Sequence, residues 1–191
     1  MVSRSLVLGY HGCDAVTAKK LVNGIEKQIP SDKPYDWLGN GFYFWEDSYS
    51  RAFKWAQDVA KIKGSLVNEP AVVGAILDLG NCLNLIDAES LELVKAAHKA
   101  YLNLCQVSGL KPAQNKGKDL RARYLDMAVF ETLHKLRQDE KKQAFDSVRA
   151  FFVEGEPLYE NAGLHTLDHI QICIRNPNNI LGYFLPRGMK A

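Results

Sequence analysis

Three short segments of the chain carry the side chains that could perform chemistry. His11 ends an apolar run and precedes Gly12, whose backbone N–H and C=O have no Cβ beside them to block a ligand. Tyr43 lies in the aromatic run 42–45, and Gln171 follows near the other end of the chain. An aromatic face attracts a flat, partly cationic ring, and His and Gln side chains bond hydroxyl groups. Gln cannot accept a proton, so a site built on it would position a substrate and would lack a general base at that position.

Each of these residues also has an ordinary structural explanation. A lone His at the end of an apolar strand is more often packed in the core than bound to a ligand. A Tyr between Phe and Trp neighbours is, as a bare pattern, a core aromatic in most proteins. Gln171 could face the exterior of its sheet. On the residues alone these alternatives stay open.

Four further polar residues are weaker candidates. Glu154 and Glu156 lie in the loop before the strand of Gln171, where they could contact a target or form a solvated acidic loop. Asp126 is a polar residue among apolar ones, which suggests a buried helix anchor. His169 is on the same face of its strand as Gln171, where it could assist binding or be packed.

Composition predicts one globular domain. The chain has 191 residues, 47% hydrophobic and 24% charged, which is enough for one buried core and too short for two ordinary domains. The formal charge is only +2, so no global basic surface marks a nucleic-acid target, although a local basic stretch could serve one. The start of the chain lacks a secretory signal pattern, and no apolar run approaches a membrane span.

The cysteines indicate a reducing compartment. Cys13, Cys82, Cys105 and Cys173 are scattered, with no CxxC and no Cys/His pair at zinc spacing. We therefore expect reduced thiols in a cytoplasmic protein, and no structural metal.

Apolar patterning predicts strands at both ends of the chain and long helices between them. The predicted strands are 6–11, 41–45, 70–79, 148–153, 169–175 and 180–185, with an extended continuation at 82–86. The predicted helices are 14–22, one that follows Ser48 as its cap and is ended by Gly64, 87–107 with Asp87 as its cap, and about 119–137. This order implies an α+β domain whose two ends share one sheet, so that distant residues can meet in one cleft.

The three chemical segments together resemble the ADP-ribosyltransferase fold, in the branch of poly(ADP-ribose) polymerases and diphtheria toxin. The resemblance is carried by His11-Gly12-Cys13, by the run 38–44 and by the run 169–174. Gly39 and Gly41 before Tyr43 match the stretch that introduces the Tyr strand in that branch. No single motif is specific, and it is their order and local context that make the resemblance.

The resemblance implies the architecture as well. It covers roughly residues 6–60 and 148–186. It implies a single ADP-ribosyltransferase-like domain over 1–191, with a split, mostly antiparallel β core and a central helical insertion at about 87–147.

The resemblance assigns roles at the first motif. His11 would bond a ribose hydroxyl of NAD, and the backbone of Gly12 would hold the carboxamide of nicotinamide. Cys13 stands where many of these enzymes have Ser or Thr, so a good hydrogen bond is lost there.

It also assigns the second and third motifs. Tyr43 would form one aromatic wall for nicotinamide, and either Phe53 or Trp55 would form the other. Gln171 takes the place of the Glu that often completes an H-Y-E set, and would bond the 2-hydroxyl of the nicotinamide ribose. Since Gln cannot deprotonate an acceptor, transfer of a single ADP-ribose is expected in preference to chain elongation.

The function implied by the resemblance is NAD-dependent mono-ADP-ribosylation of a macromolecule, protein or nucleic acid, with release of nicotinamide. NAD is the cosubstrate, and no metal is expected. Small transferases of this kind resemble toxins of bacterial toxin–antitoxin or phage-defence systems, so a neutralising antitoxin protein is an expected partner. Two alternatives stay open. One is an NAD glycohydrolase, and the other is a catalytically silent NAD- or ADP-ribose-binding module, favoured if Cys13 and Gln171 mark the loss of chemistry.

Overall fold

The chain folds as one α+β domain around a seven-stranded mixed sheet, so the predicted class is confirmed. The computed structural model describes residues 6–187. The strands are β1 (Leu6–Asp14), β2 (Phe42–Glu46), β3 (Pro70–Asp78), β4 (Cys82–Asn84), β5 (Ser147–Phe152), β6 (His169–Ile174) and β7 (Ile180–Phe184). The four α-helices of this described part are α1 (Ala15–Val22), α2 (Tyr49–Ala60), α3 (Ala88–Val107) and α4 (Tyr124–Asp139).

The sheet is nearly divided between β1 and β2. The strand order is β4-β5-β6-β2-β1-β3-β7, and the β4–β5 pair is parallel while the others are antiparallel. β1 pairs with β3 along its whole length, but it pairs with β2 only at Gly9↔Glu46 and Tyr10↔Trp45. We call these two pairs the seam. Beyond the seam β1 and β2 separate, and a gap opens between the two groups of strands.

Alternation along β2 divides the core between the two faces of the sheet. Phe42 and Phe44 point to one face, where they pack with Leu77 and Ile172. Fully burying such a side chain contributes about 1.5 to 3 kcal/mol, and Phe44 has no exposed surface. The opposite face is covered by α3 and α4, the predicted helical insertion, and by α2, which lies over the seam.

The first residues of the helices show where capping residues in the sequence correctly predicted a helix start and where they did not. Asp87 caps α3 as predicted, because its carboxylate accepts the N–H of Ser90 at 3.2 Å. Ser48 occupies the cap position of α2, but its side chain makes no capping hydrogen bond. The fourth helix begins at Tyr124 and not near Asp119, where φ is +55° and the chain makes a short 3₁₀ turn. Within residues 6–187 no helix combines the length and apolar character needed to cross a membrane.

Candidate functional site

A cleft of about 530 Å³ opens where β1 and β2 separate. Side chains from β1, β2, β6 and α2 and from the loop before β2 line it. Those that matter most here are His11, Tyr43, Trp45, Trp55, His169 and Gln171. The fold therefore brings all three chemical segments of the sequence into one site.

His11 is held in one orientation by the backbone of β2. Its Nδ1 lies 2.9 Å from the carbonyl oxygen of Tyr43, which can only accept, so the imidazole proton is on Nδ1. Burial lowers the pKa of His11, and the Tyr43 carbonyl opposes that effect more weakly. The ring is therefore neutral at physiological pH and its Nε2 is a hydrogen-bond acceptor.

Tyr43 lines the cleft with its ring, whereas its hydroxyl makes hydrogen bonds to the backbone of the loop before β2. The hydroxyl donates to the carbonyl of Gly39 at 2.6 Å and accepts the N–H of Leu38 at 2.9 Å. Burial holds the pKa of Tyr43 far above its ordinary value. Any side-chain contact between Tyr43 and a ligand in the cleft is therefore made by the ring and not by the hydroxyl.

Trp55, and not Phe53, lines the cleft, where it lies beside His11 and Trp45. The Trp55 ring is 6.5 Å from His11 and 5.9 Å from Trp45, centroid to centroid, and 37% of the residue is exposed. Phe53 instead stacks on Tyr49 at 5.9 Å, outside the cleft. Of the two predicted wall residues, the geometry therefore supports Trp55.

Gly12 and Cys13 also lie outside the cleft lining. A Cβ at Gly12 would come within 2.3 Å of the carbonyl oxygen of Ala52, so this glycine is what lets α2 approach β1. Cys13 is buried against Ala18 of α1, and burial raises its thiol pKa to about 11. Both positions have a packing role in this structure, and a role in binding a cofactor stays a prediction for them.

Gln171 lies in the middle of the sheet at the floor of the cleft. It pairs with Trp45 on one side and Ala150 on the other. Only 9% of the residue is exposed, and it faces the cleft rather than the exterior of the sheet. The prediction that Gln171 shares a site with His11 and Tyr43 fits this geometry.

A charged cluster forms one end of the cleft. Arg51 of α2 makes an ion pair with Glu154, and Arg121 approaches the other carboxylate oxygen at 3.5 Å. His169 Nδ1 is 3.7 Å from Glu154, and the Arg51 guanidinium lies 5.5 Å from the centre of the Trp45 ring. Sequence reasoning missed Arg51, although it is four residues before Trp55 and so shares a helix face with it.

The remaining candidates lie elsewhere. Glu156 is exposed and pairs with Lys118 at 3.1 Å. Asp126 accepts from Asn115 at 2.9 Å and pairs with Arg123 at 3.0 Å, which agrees with an anchoring role on α4.

A second cavity of about 830 Å³ lies between α3, α4 and β5 and is mostly apolar. Trp37 lines both cavities. Its ring packs under the Arg123 guanidinium at 4.4 Å, and its Nε1–H donates to the Arg121 carbonyl at 2.9 Å. Trp37 therefore separates the two cavities, and these two contacts hold its side chain in place.

Comparison with known proteins finds a relative but no assigned function. The chain is 28% identical to an uncharacterized protein of Methanocaldococcus jannaschii, over 90% of this chain and 83% of that protein. No family model matches the chain. No solved structure matches it. Within residues 6–187 no three His, Cys, Asp or Glu side chains are grouped to hold a metal ion.

Proposed function

We propose that this protein is an NAD-dependent mono-ADP-ribosyltransferase that releases nicotinamide and transfers ADP-ribose to a macromolecule. The observation that carries the proposal is the meeting of His11, Tyr43 and Gln171 in one cleft at the point where β1 and β2 separate. A fold does not by itself determine a reaction, so the proposal depends on these side chains and their environment.

The residues of the cleft fit the nicotinamide half of NAD. The neutral His11 offers Nε2 as an acceptor for a ribose hydroxyl. The faces of Tyr43 and Trp55 suit a flat cationic ring. Arg121 and Lys33, which also line the cleft, suit the negative charge of a diphosphate. The Gly12 carboxamide contact gains no support from this arrangement.

The protein's contribution to the reaction would be positioning and electrostatics. NAD supplies a ribose whose bond to nicotinamide breaks through an oxocarbenium-like state. His11 fixes the ribose, and the aromatic faces of Tyr43 and Trp55 hold the leaving ring in line. The Gln171 amide bonds the 2-hydroxyl, an interaction that strengthens as positive charge develops on the ribose.

The test combines nicotinamide release with the fate of the label. Purified protein is incubated with NAD labelled in the ADP-ribose half and with cell lysate, and products are identified by mass spectrometry. Labelled macromolecules with free nicotinamide support the transferase, whereas free ADP-ribose alone indicates a glycohydrolase. Binding of NAD without release of nicotinamide indicates the silent module and contradicts the proposal.

His11→Ala is the decisive variant. It should lower nicotinamide release by about 5- to 150-fold, since a lost bound-state hydrogen bond of about 1 to 3 kcal/mol has this effect. His98→Ala, on α3 at the second cavity, is the matched control and should retain wild-type release. Equal release by the wild type and His11→Ala would remove His11 from the site.

We further propose that this protein acts in the cytoplasm as a toxin or phage-defence effector, and that an antitoxin protein neutralises it. The described cysteines are free thiols, which suits a reducing compartment. Exposed Leu93, Leu104 and Val107 on α3 offer such a partner an apolar surface. Expression in bacteria should arrest growth, and His11→Ala should relieve the arrest. Equal growth of the two strains at equal protein levels would contradict toxicity while leaving the NAD chemistry intact.

A further inference from the structure

His169 is a buried histidine in the cleft that the steps above leave unused. Its Nδ1 lies 2.8 Å from the carbonyl oxygen of Leu167, so Nδ1 carries the proton and donates it. The lone pair is then on Nε2, which is buried and has no hydrogen-bond partner among residues 6–187. Buried polar atoms without partners are uncommon in folded proteins, and each one calls for an explanation such as a ligand.

The surroundings of His169 hold the ring and supply charge. The ring lies between Trp37 at 6.2 Å and Trp45 at 6.3 Å, centroid to centroid. Glu154 lies 3.7 Å from Nδ1, where it would stabilise an imidazolium. An imidazole whose proton-bearing nitrogen is held by one group and whose other nitrogen is left free has the arrangement of a general base.

Charged side chains from several elements of the fold lie near His169. Arg51 on α2 disfavours its protonation, whereas the Leu167 carbonyl and the carboxylates of Glu154 and Asp168 favour it. Burial is the largest effect and lowers the pKa of His169 below its ordinary value. The ring is therefore neutral, and able to take a proton, at physiological pH.

Further unpartnered groups lie beside His169. Trp45 Nε1 and Arg51 Nε are buried donors with no hydrogen-bond partner within the described chain. Both residues line the cleft with His169. Residues of the cleft thus carry two free donors and one free acceptor, a combination that suits an oxygen atom that carries a proton.

We propose that His169 Nε2 is the base that removes the proton from the acceptor oxygen, so that the acceptor is a hydroxyl group or water. The inference rests on the proposed function and supplies the proton acceptor that Gln171 cannot be. His169 and Gln171 share one face of β6, with their Cα atoms about 6.6 Å apart by strand geometry. An acceptor oxygen can thus lie between His169 and the ribose that Gln171 contacts.

The step balances without an added reactant. A lone pair of the acceptor oxygen forms a bond to the anomeric carbon of the ribose. The bond from that carbon to nicotinamide breaks, and its electron pair stays on the ring nitrogen, which leaves as neutral nicotinamide. The proton of the acceptor passes to His169 Nε2, and the imidazolium then loses a proton to solvent.

The experiment uses the full chain, NAD, and methanol as a small hydroxyl probe. Nicotinamide release is followed with water as acceptor, and methyl ADP-ribose is measured when methanol is present. His169→Gln keeps a polar side chain of similar reach but cannot act as a base, and should lower turnover by about a hundredfold with unchanged NAD affinity. The rate of nicotinamide release and the yield of methyl ADP-ribose should both decrease if His169 removes the proton from water and from hydroxyl acceptors alike.

A second variant separates a base from a packing residue. His169→Gly opens a space for free imidazole, which should restore turnover in proportion to the neutral fraction of imidazole as pH is varied. His134→Gln is the matched control, because the Nε2 of His134 is also buried and has no hydrogen-bond partner among the described residues, but His134 lies outside the cleft. It should leave turnover and its pH profile unchanged.

The outcomes are distinct. Wild-type protein that releases no nicotinamide contradicts the proposed function and, with it, the role of His169. An active wild type together with a fully active His169→Gln, or folded His169→Gly that imidazole does not rescue, overturns the role of His169 alone. Loss of turnover with rescue by imidazole supports it.

Discussion

Replacing Tyr43 by Phe should separate the structural role of its hydroxyl from the role of its ring. The substitution removes the hydrogen bond to the Gly39 carbonyl and the one from the Leu38 N–H. Leu38 is only 1% exposed, so its N–H would lose its partner in a place that water does not easily reach. Two such bonds at about 1 kcal/mol each, with an added penalty for a buried N–H, give an expected loss of about 2 to 4 kcal/mol in the free energy of unfolding.

The ring face survives in Tyr43→Phe, so nicotinamide release should stay within about threefold of wild type. Tyr43→Ala removes hydroxyl and ring together, and should lose both stability and turnover. Urea unfolding followed by tryptophan fluorescence gives the stability, at a protein concentration shared by all variants. Tyr101→Phe is the control, because its hydroxyl accepts one N–H, that of Ala113 at 2.9 Å, outside the cleft. If Tyr43→Phe were as stable as wild type, the anchoring of the 38–39 turn by this hydroxyl would be refuted.

Three other predictions concern separate parts of the fold. Gln171→Ala should reduce nicotinamide release about 10- to 100-fold, whereas Gln171→Glu should retain it and raise the share of free ADP-ribose. A fully active Gln171→Ala would remove Gln171 from the site. The Asp14 carboxylate accepts backbone N–H groups that lower its pKa. Its stabilising effect is therefore present above the unfolded-state pKa and is lost as pH falls through the lower folded-state pKa. Urea midpoints measured against pH should show that Asp14→Asn is less stable at neutral pH and declines less on acidification, and parallel curves would contradict this. Gly12→Ala should cost about 1 to 3 kcal/mol in urea unfolding by pushing α2 away, while Gly163→Ala, where a Cβ meets nothing within 4 Å, should be nearly neutral. Equal stability of the two Ala variants would exclude that steric role.

Local sequence signals were sufficient for most of the fold. Apolar runs placed every strand to within a few residues, and Asp87 marked the start of α3 because a carboxylate can cap the free N–H groups there. The start of α4 was misplaced because Asp119 and Leu120 both adopt positive φ, which few non-glycine residues do and which no propensity encodes. The bridge between Lys116 and Ala122 that accompanies this turn is likewise invisible in the sequence.

The candidate site was only partly accessible to sequence reasoning. Phe53 and Trp55 are about 200° apart around a helix at about 100° per residue, so one faces the cleft and the other cannot, but the sequence does not say which. Glu154 reaches the cleft because its backbone N–H and that of His165 both bind the Asp168 carboxylate, at 3.0 and 2.9 Å. Such contacts depend on how the loop before β6 closes.

The shortness of the seam bears on the mechanics of the cleft. Two ladder pairs and the hydrogen bond from the Asp47 N–H to the Leu8 carbonyl join the backbones of the strand groups on either side of it, while the ladders within each group are longer. Local opening there would break few backbone hydrogen bonds, so the two groups are joined mainly by apolar packing, such as that of Phe44 and Ile172 against Leu77. Helix α2 crosses the gap, with Ala52 packed against Tyr10 on one side and Trp45 on the other. The width of the cleft, and so the size of the molecule that can enter it, should therefore follow small displacements of this one helix.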